Sequence, residues 1–145
     1  MRLQVSARAD YAMRATAELA VAGGRVTAER LAEGQGIPVR FLLNILGALV
    51  HAGIVKSHRG SVGGYELARP PGEITLAEII AAVEEPRSRQ WPVRVAPHAE
   101  VADAVRRFRS STVATLDALL RDTTVADLVR PDPETVVPTT TAGSS

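Results

Sequence analysis

Residues 53 to 70, Gly-Ile-Val-Lys-Ser-His-Arg-Gly-Ser-Val-Gly-Gly-Tyr-Glu-Leu-Ala-Arg-Pro, constrain the fold more than any other stretch of this 145-residue chain. They follow directly on an apolar helical run and read as two short strands, Ile54 to His58 and Tyr65 to Arg69, joined by a turn holding Gly60, Gly63 and Gly64. A hairpin of that size is marginal in water, so it needs a body to dock on. Lys56, His58 and Arg59 gather toward its tip. With a pair of helices in front of it, the hairpin reads as the wing of a winged helix-turn-helix, a mainly α fold with one small β-hairpin, and points to duplex DNA as the partner.

The body is readable in front of the hairpin. A first helix is predicted over about Arg8 to Val21, with Tyr11, Ala15 and Leu19 at four-residue spacing, Ser6 as N-cap and Gly23-Gly24 as its end. Its alanine-rich face suits close packing. Thr27 opens a short second helix that turns Leu31 inward and stops near Gly34-Gln35-Gly36. Pro38 then stands at the first turn of a third helix running to about Ala52.

Phe41, Leu42, Ile45, Leu46, Leu49 and Val50 of that third helix follow an i, i+3, i+4 rhythm and form its core stripe. The opposite face reads Val39, Arg40, Leu43, Asn44, Gly47 and His51. Arg40 and Asn44 lie one turn apart near the helix N-terminus, the end that a recognition helix inserts into the major groove. Arg and Asn are also the side chains able to make paired hydrogen bonds to guanine and adenine edges. Taken alone, an Arg and an Asn on a helix are ordinary solvated surface, and a Gly-rich turn is only a hairpin. The order short helix, Gly-Pro turn, longer helix and basic Gly-rich hairpin favours the DNA reading of both. Gly47 lowers helix propensity by roughly 1 kcal/mol relative to Ala, which marks a close approach either to phosphate or to another helix.

Charge is divided along the chain. Residues 1 to 70 hold nine Arg or Lys against five Asp or Glu, and residues 71 to 145 hold eight against eleven, so a basic half precedes an acidic one. Arg2, Arg8, Arg40, Lys56 and Arg59 flank or lie within the elements expected to meet DNA, where they could displace counterions condensed on the phosphates.

Several functions are excluded or disfavoured by what the chain lacks. It has no cysteine, which removes disulfides, thiolate metal sites, cysteine-held iron–sulfur clusters and cysteine nucleophiles. His51, His58 and His98 are scattered over different elements, so no metal and no cofactor is expected. There is no G-x-S-x-G, phosphate loop, H-E-x-x-H or paired-carboxylate pattern, and the serines have no associated His and Asp, so the chain is not read as an enzyme. The start, Met-Arg-Leu-Gln-Val-Ser, shows no signal-peptide apolar region, and no stretch approaches a membrane span, so a cytoplasmic protein is expected.

The resemblance is specific at several points. The opening Met-Arg-Leu with Ser6, Arg8, Tyr11, Ala12 and Ala15, Leu31-Ala32-Glu33 before Gly36-Ile37-Pro38, and the Leu46-x-x-Leu49 spacing into Ala52-Gly53-Ile54-Val55 all contribute. The wing motif Arg59-Gly60-x-x-Gly63-Gly64-Tyr65-x-Leu67-Ala68-Arg69-Pro70 is the most specific part, and Ile74 to Glu84 continues it. Together these segments resemble the Rrf2 family of bacterial transcription regulators over most of residues 1 to 85. The resemblance implies a homodimer on a palindromic operator, with the third helix in the major groove and Arg59 of the wing in the minor groove. It further implies backbone contacts from Arg2 and Arg8, a recognition surface formed or bordered by Val39, Arg40, Phe41 and Asn44, and a wing tip made by Arg59, Gly60 and Gly63. Phe41 fits the core stripe equally well. Gly63 and Gly64 suit a tight turn with positive φ, and Tyr65 suits a wing anchor. Many family members hold a cluster by three cysteines after the helix ending near Val83, and Pro86 to His98 of this chain has none.

That segment, residues 86 to 98, reads as a linker with the chain's only tryptophan, Trp91, between Arg89 and Arg94. An amphipathic ring beside two cations could line a pocket for an anionic or aromatic small-molecule effector. It could equally cap the dimer core, with regulation left to abundance or a partner protein. From about Ala99 to Arg121, Val101, Val105, Phe108, Thr112, Leu116 and Leu119 fall every three or four residues on a helix of roughly six turns. The same helix of a second subunit would cover this dimerisation stripe, and packing on the first helix would produce the same pattern. A short helix from Thr124 to Val129 follows, and residues 131 to 145, rich in Pro, Thr and Ser, are expected to be a disordered tail. The expected protein is a homodimeric repressor without an iron–sulfur cluster. The rival is a winged-helix protein-interaction module that does not bind DNA specifically.

Overall fold

In the computed structural model, which describes residues 6–61, 63–84 and 99–130, three residues set the starts of the first three helices. Ser6 accepts a hydrogen bond from the Ala9 amide (3.1 Å) and opens α1, Ala7–Ala22. Thr27 accepts from the Arg30 amide (3.3 Å) and opens α2, Ala28–Gln35. Pro38 precedes α3, Val39–His51, as its N-cap, one position earlier than the first-turn place expected for it. It offers no side-chain bond, but its carbonyl accepts from the Phe41 and Leu42 amides.

Helix α3 is the centre of the core. Leu42, Ile45, Leu46 and Leu49 are fully buried in a cluster with Ala9, Ala12, Ala15 and Leu19 of α1 and Leu31 of α2. The short alanine side chains let α1 approach closely, and the hydroxyl of buried Thr16 donates back to the Ala12 and Met13 carbonyls, so no polar atom of that side chain is stranded.

The hairpin forms from β1, Val55–His58, and β2, Gly64–Leu67, antiparallel with Val55 opposite Leu67 and Ser57 opposite Tyr65. Both strands are shorter than the sequence predicts. Ile54, Ala68 and Arg69 lie outside them, although the Ala68 amide still donates to the Ile54 carbonyl (2.9 Å). A third backbone segment, between α1 and α2, completes the docking. The Val26 amide donates to the Tyr65 carbonyl (2.9 Å) and the Tyr65 amide donates to the Val26 carbonyl (2.8 Å). This exchange fixes the hairpin to the helical body, which answers the instability of a lone hairpin.

Two glycines make that geometry accessible for different reasons. Gly64 has φ 145°, and a Cβ there would sit 2.9 Å from the Val26 carbonyl oxygen. Gly63 does not share the positive φ expected of the pair. It is needed because a Cβ would lie 2.8 Å from the His58 carbonyl oxygen and 2.9 Å from that of Gly60.

Beyond the wing, a 3-10 turn at Pro71–Glu73 leads to α4, Leu76–Val83. Thr75 and Glu78 form a reciprocal capping box at its start. The Thr75 amide holds the Glu78 carboxyl below its ordinary range, helped by Arg69 at 2.9 Å, even though partial burial opposes this. Helix α5, Ala99–Asp122, packs on α4, and a second capping box, Thr124 with Asp127, starts α6, Val125–Leu128. The chain returns to its beginning here. The Leu76 amide donates to the Thr123 carbonyl (2.9 Å) and the Val125 amide to the Ile74 carbonyl (2.9 Å), while fully buried Val125 enters the core. Among the described residues no helix is long and apolar enough to cross a membrane.

Candidate nucleic-acid interface

Burying one face of α3 decides what the other can offer. Arg40, Asn44, Gly47 and His51 are all exposed and, at i, i+4, i+7 and i+11, run along one side of the helix. Leu43 beside them is 43% exposed, a large apolar group turned to solvent on an otherwise polar face. Sequence reasoning placed Leu43 on this face without giving it a role, and its exposure beside Arg40 and Asn44 is the signal that singles it out. Val39 and Phe41 sit differently. Both are half-buried against the core, and Phe41 meets Tyr11 edge-on with ring centroids 5.7 Å apart and planes at 86°. The core stripe thus claims Phe41.

At the hairpin, Lys56, Arg59 and Gly60 are exposed, and Gly60 adopts φ 101° where the chain turns. The Gly63 amide closes the turn onto the Gly60 carbonyl (3.0 Å), which holds Arg59 at the tip. His58 is half-buried, with Nε2 2.7 Å from the Glu66 carboxylate. A carboxylate only accepts, so Nε2 is the donor. Glu66 also lies opposite Lys56 in the strand register. The wing's positive charge is therefore partly balanced along its length and unopposed at Arg59 among the described contacts of the tip.

Arg8 is placed where sequence reasoning did not put it. Its Nε donates to the Val83 carbonyl (2.9 Å) at the end of α4, and its Nη1 donates to Asn44 Oδ1 (2.6 Å). Two residues read separately as DNA contacts are thus bonded to each other. Nothing in the sequence couples positions 8 and 44, because only the packing of α1 across α3 and α4 brings them together. Arg2, Arg89, Trp91, Arg94 and the side chain of Val101 lie outside the described residues.

Helix α5 presents Val105, Phe108 and Leu119 to solvent, at 42%, 65% and 54% exposure, and Val113 joins them at 57%. Thr112 and Leu116 are half-buried, and the Thr112 hydroxyl donates to the Phe108 carbonyl (2.9 Å). Leu120, one residue past the predicted stripe, is the position that packs against the core.

Comparison with known proteins places this arrangement. The family model described as Rrf2, iron-dependent transcriptional regulator, matches residues 5–131. A candidate HTH-type transcriptional regulator of Mycobacterium tuberculosis is 37% identical over 134 residues, spanning 87% of this chain and 81% of the relative. The HTH-type transcriptional regulator IscR of Cereibacter sphaeroides is 37% identical over 87 residues, 57% of this chain and 56% of its own length. Among solved structures, CymR, the global cysteine regulator of B. subtilis, superposes with a TM-score of 0.73 at 31% identity, over 88% of this chain and 97% of that one. IscR of T. potens gives 0.71 at 29% identity over 88% and 86%.

The iron in the family's description finds no thiolate donor in this chain, which has no cysteine. Among the described residues no three His, Asp or Glu side chains come together as a metal site. A cysteine-held cluster does not fit these residues. With the helical body, the docked hairpin and matches to named regulators in agreement, the chain belongs to the Rrf2 family and is a DNA-binding transcription regulator with a winged helix-turn-helix fold, not an enzyme.

Proposed function

We propose that the protein works in the cytoplasm as a homodimeric repressor that reads a palindromic operator, with α3 in the major groove and the wing tip in the adjacent minor groove. The observation that carries this reading is the exposed row on α3, Arg40 and Asn44 one turn apart, next to a wing that is docked by the Val26–Tyr65 exchange and carries Arg59 exposed at its tip. Arg40 supplies the fork that suits guanine O6 and N7, and Leu43 supplies an apolar contact of the kind a thymine methyl accepts. Arg59 suits the enhanced negative potential of a narrow minor groove. The exposed apolar residues of α5 support the dimer, since a second copy of the helix would cover them. A dimer seated on a promoter blocks polymerase sterically, which favours repression.

The test is selection of fragments of the source genome by wild-type and Arg59→Ala protein at near-physiological salt, followed by sequencing. Wild-type protein is expected to retain a palindrome whose half-sites lie about one helical turn apart, and Arg59→Ala to bind it more weakly, with the salt slope reduced by about one. Recovery of no common sequence by the wild type would overturn the reading.

A further inference from the structure

Arg8 of α1 bonds to both α3 and α4, two helices that also pack on one another. It leaves the first turn of α1, whose position is set by the Ser6 cap and by packing against α3 and α4. Its Nε reaches the Val83 carbonyl, one of the last carbonyls of α4 that have no partner within their own helix. A guanidinium there also suits the partial negative charge of a helix C-terminus. The same group then donates to Asn44 Oδ1 at 2.6 Å, a short bond of charge-assisted kind.

The direction of that bond carries a consequence. Arg only donates, so the Asn44 amide has one allowed orientation, with its oxygen on Arg8. The Asn44 NH2 has no partner among the described residues, and Asn44 is exposed on the face that α3 offers outward. An unrestrained Asn can turn its amide over and pair with adenine through donor and acceptor together. Asn44 is held with one of the two lone pairs of Oδ1 on Arg8 and with its NH2 unpartnered among the described residues, so the way its amide faces is set before a base arrives.

We infer that Arg8 is a positioning residue that sets the base preference of Asn44, fixing which way its amide faces so that the NH2 is offered to an acceptor edge such as a purine N7, guanine O6 or thymine O4, rather than a phosphate contact. The inference rests on the proposed operator-reading function and adds a residue that acts through another. It also makes the end of α4 part of the reading surface, since the guanidinium that orients Asn44 is anchored on the Val83 carbonyl.

The two roles for Arg8 separate in a binding-site selection run on full-length wild type, Arg8→Ala, Arg8→Lys and Asn44→Ala, with salt titrations on the selected operator and on random duplex. Arg8→Ala is expected to lose roughly fivefold or more of discrimination at the same base pair that Asn44→Ala relaxes. Affinity for random duplex and the salt slope stay at wild-type values. Arg8→Lys keeps the charge but lacks the planar fork, so it is expected to relax the same base pair as Arg8→Ala. A uniform loss on all sequences with the slope reduced by about one in Arg8→Ala, and wild-type behaviour in Arg8→Lys, would make Arg8 a phosphate contact and overturn the inference. Should Arg8→Ala fail to fold by thermal unfolding, the comparison of Arg8→Lys with Asn44→Ala decides alone: the same relaxed base pair supports the inference and an unchanged preference overturns it. Failure of the wild type to select any operator is a different result, and removes the proposed function together with the inference built on it.

Discussion

Helices α3 and α5 carry the same kind of sequence pattern and end in opposite situations. Both place apolar residues every three or four positions. On α3 the stripe residues Leu42, Ile45, Leu46 and Leu49 are fully buried, because α1, α2, α4 and the wing surround them. On α5, Phe108 is 65% exposed and Leu119 54%, and the helix packs within the chain chiefly on α4. Periodicity reports that a face is apolar. Whether the same chain covers it depends on how many other elements can reach it, and a 24-residue helix attached late in a small fold outruns its neighbours.

The largest expected effects break this comparison directly. Leu46→Ala removes a fully buried side chain and should cost about 2–5 kcal/mol of unfolding free energy at any protein concentration. Phe108→Asp should leave the helical circular dichroism signal in place and shift sedimentation from the proposed dimer to monomer. Both helices would be equivalent core elements if Phe108→Asp unfolded a dilute, already monomeric protein as severely as Leu46→Ala does.

How far the sequence could be read follows the same line. Helix ends were readable where a single local contact fixes them, as with Ser6, Thr27 and the closing glycines Gly23 and Gly36. The buried stripe of α3 was readable because every residue in it answers to one repeat. What escaped depends on contacts between distant segments. Val26 is a lone β-branched residue between two helices and forms an isolated bridge only because Tyr65 lies across from it. Val125 is one small residue in a short helix, and its full burial comes from the backbone exchange that returns the chain to Ile74. Arg8 and Asn44 were each readable as polar surface groups, but their bond depends on the crossing of α1 and α3, which no spacing records. Phe41 was legible as core and as surface, and the Tyr11 ring beside it shows why the core contact prevails in the free protein.

A smaller effect sharpens the comparison within the α3 region, where the wing rests on the helical body through buried Val55, half-buried Tyr65 and Leu67, and the Val26–Tyr65 exchange. Gly64→Ala would place a methyl group 2.9 Å from the Val26 carbonyl oxygen at a φ of 145° that other residues rarely adopt. The expected cost is about 1–3 kcal/mol, paired with faster hydrogen exchange at the Val26 and Tyr65 amides while the amides of α3 stay protected. Equal loss of protection across α3 would mean that wing and body unfold as one unit and that the docking exchange is no separate joint.

The smallest expected change in stability has the opposite sign. Gly47 lies on the exposed row of α3 with nothing among the described residues within 4 Å of the place a Cβ would occupy, so no other helix accounts for it and the approach to phosphate is the explanation to test. Ala at this position should stabilise the free protein by about 1 kcal/mol, since it replaces the poorest ordinary helix former without a clash. On the proposed interface the added methyl faces DNA, so Gly47→Ala should raise the unfolding midpoint and weaken operator binding in the same preparation. A matched gain on the exposed side of α5, where Ser110→Ala also replaces a weaker helix former, should leave operator binding unchanged. If Gly47→Ala stabilised the protein and bound the operator as tightly as the wild type, the exposed row of α3 would approach DNA no more closely than α5 does, and the difference between the two helices would lie in their packing alone.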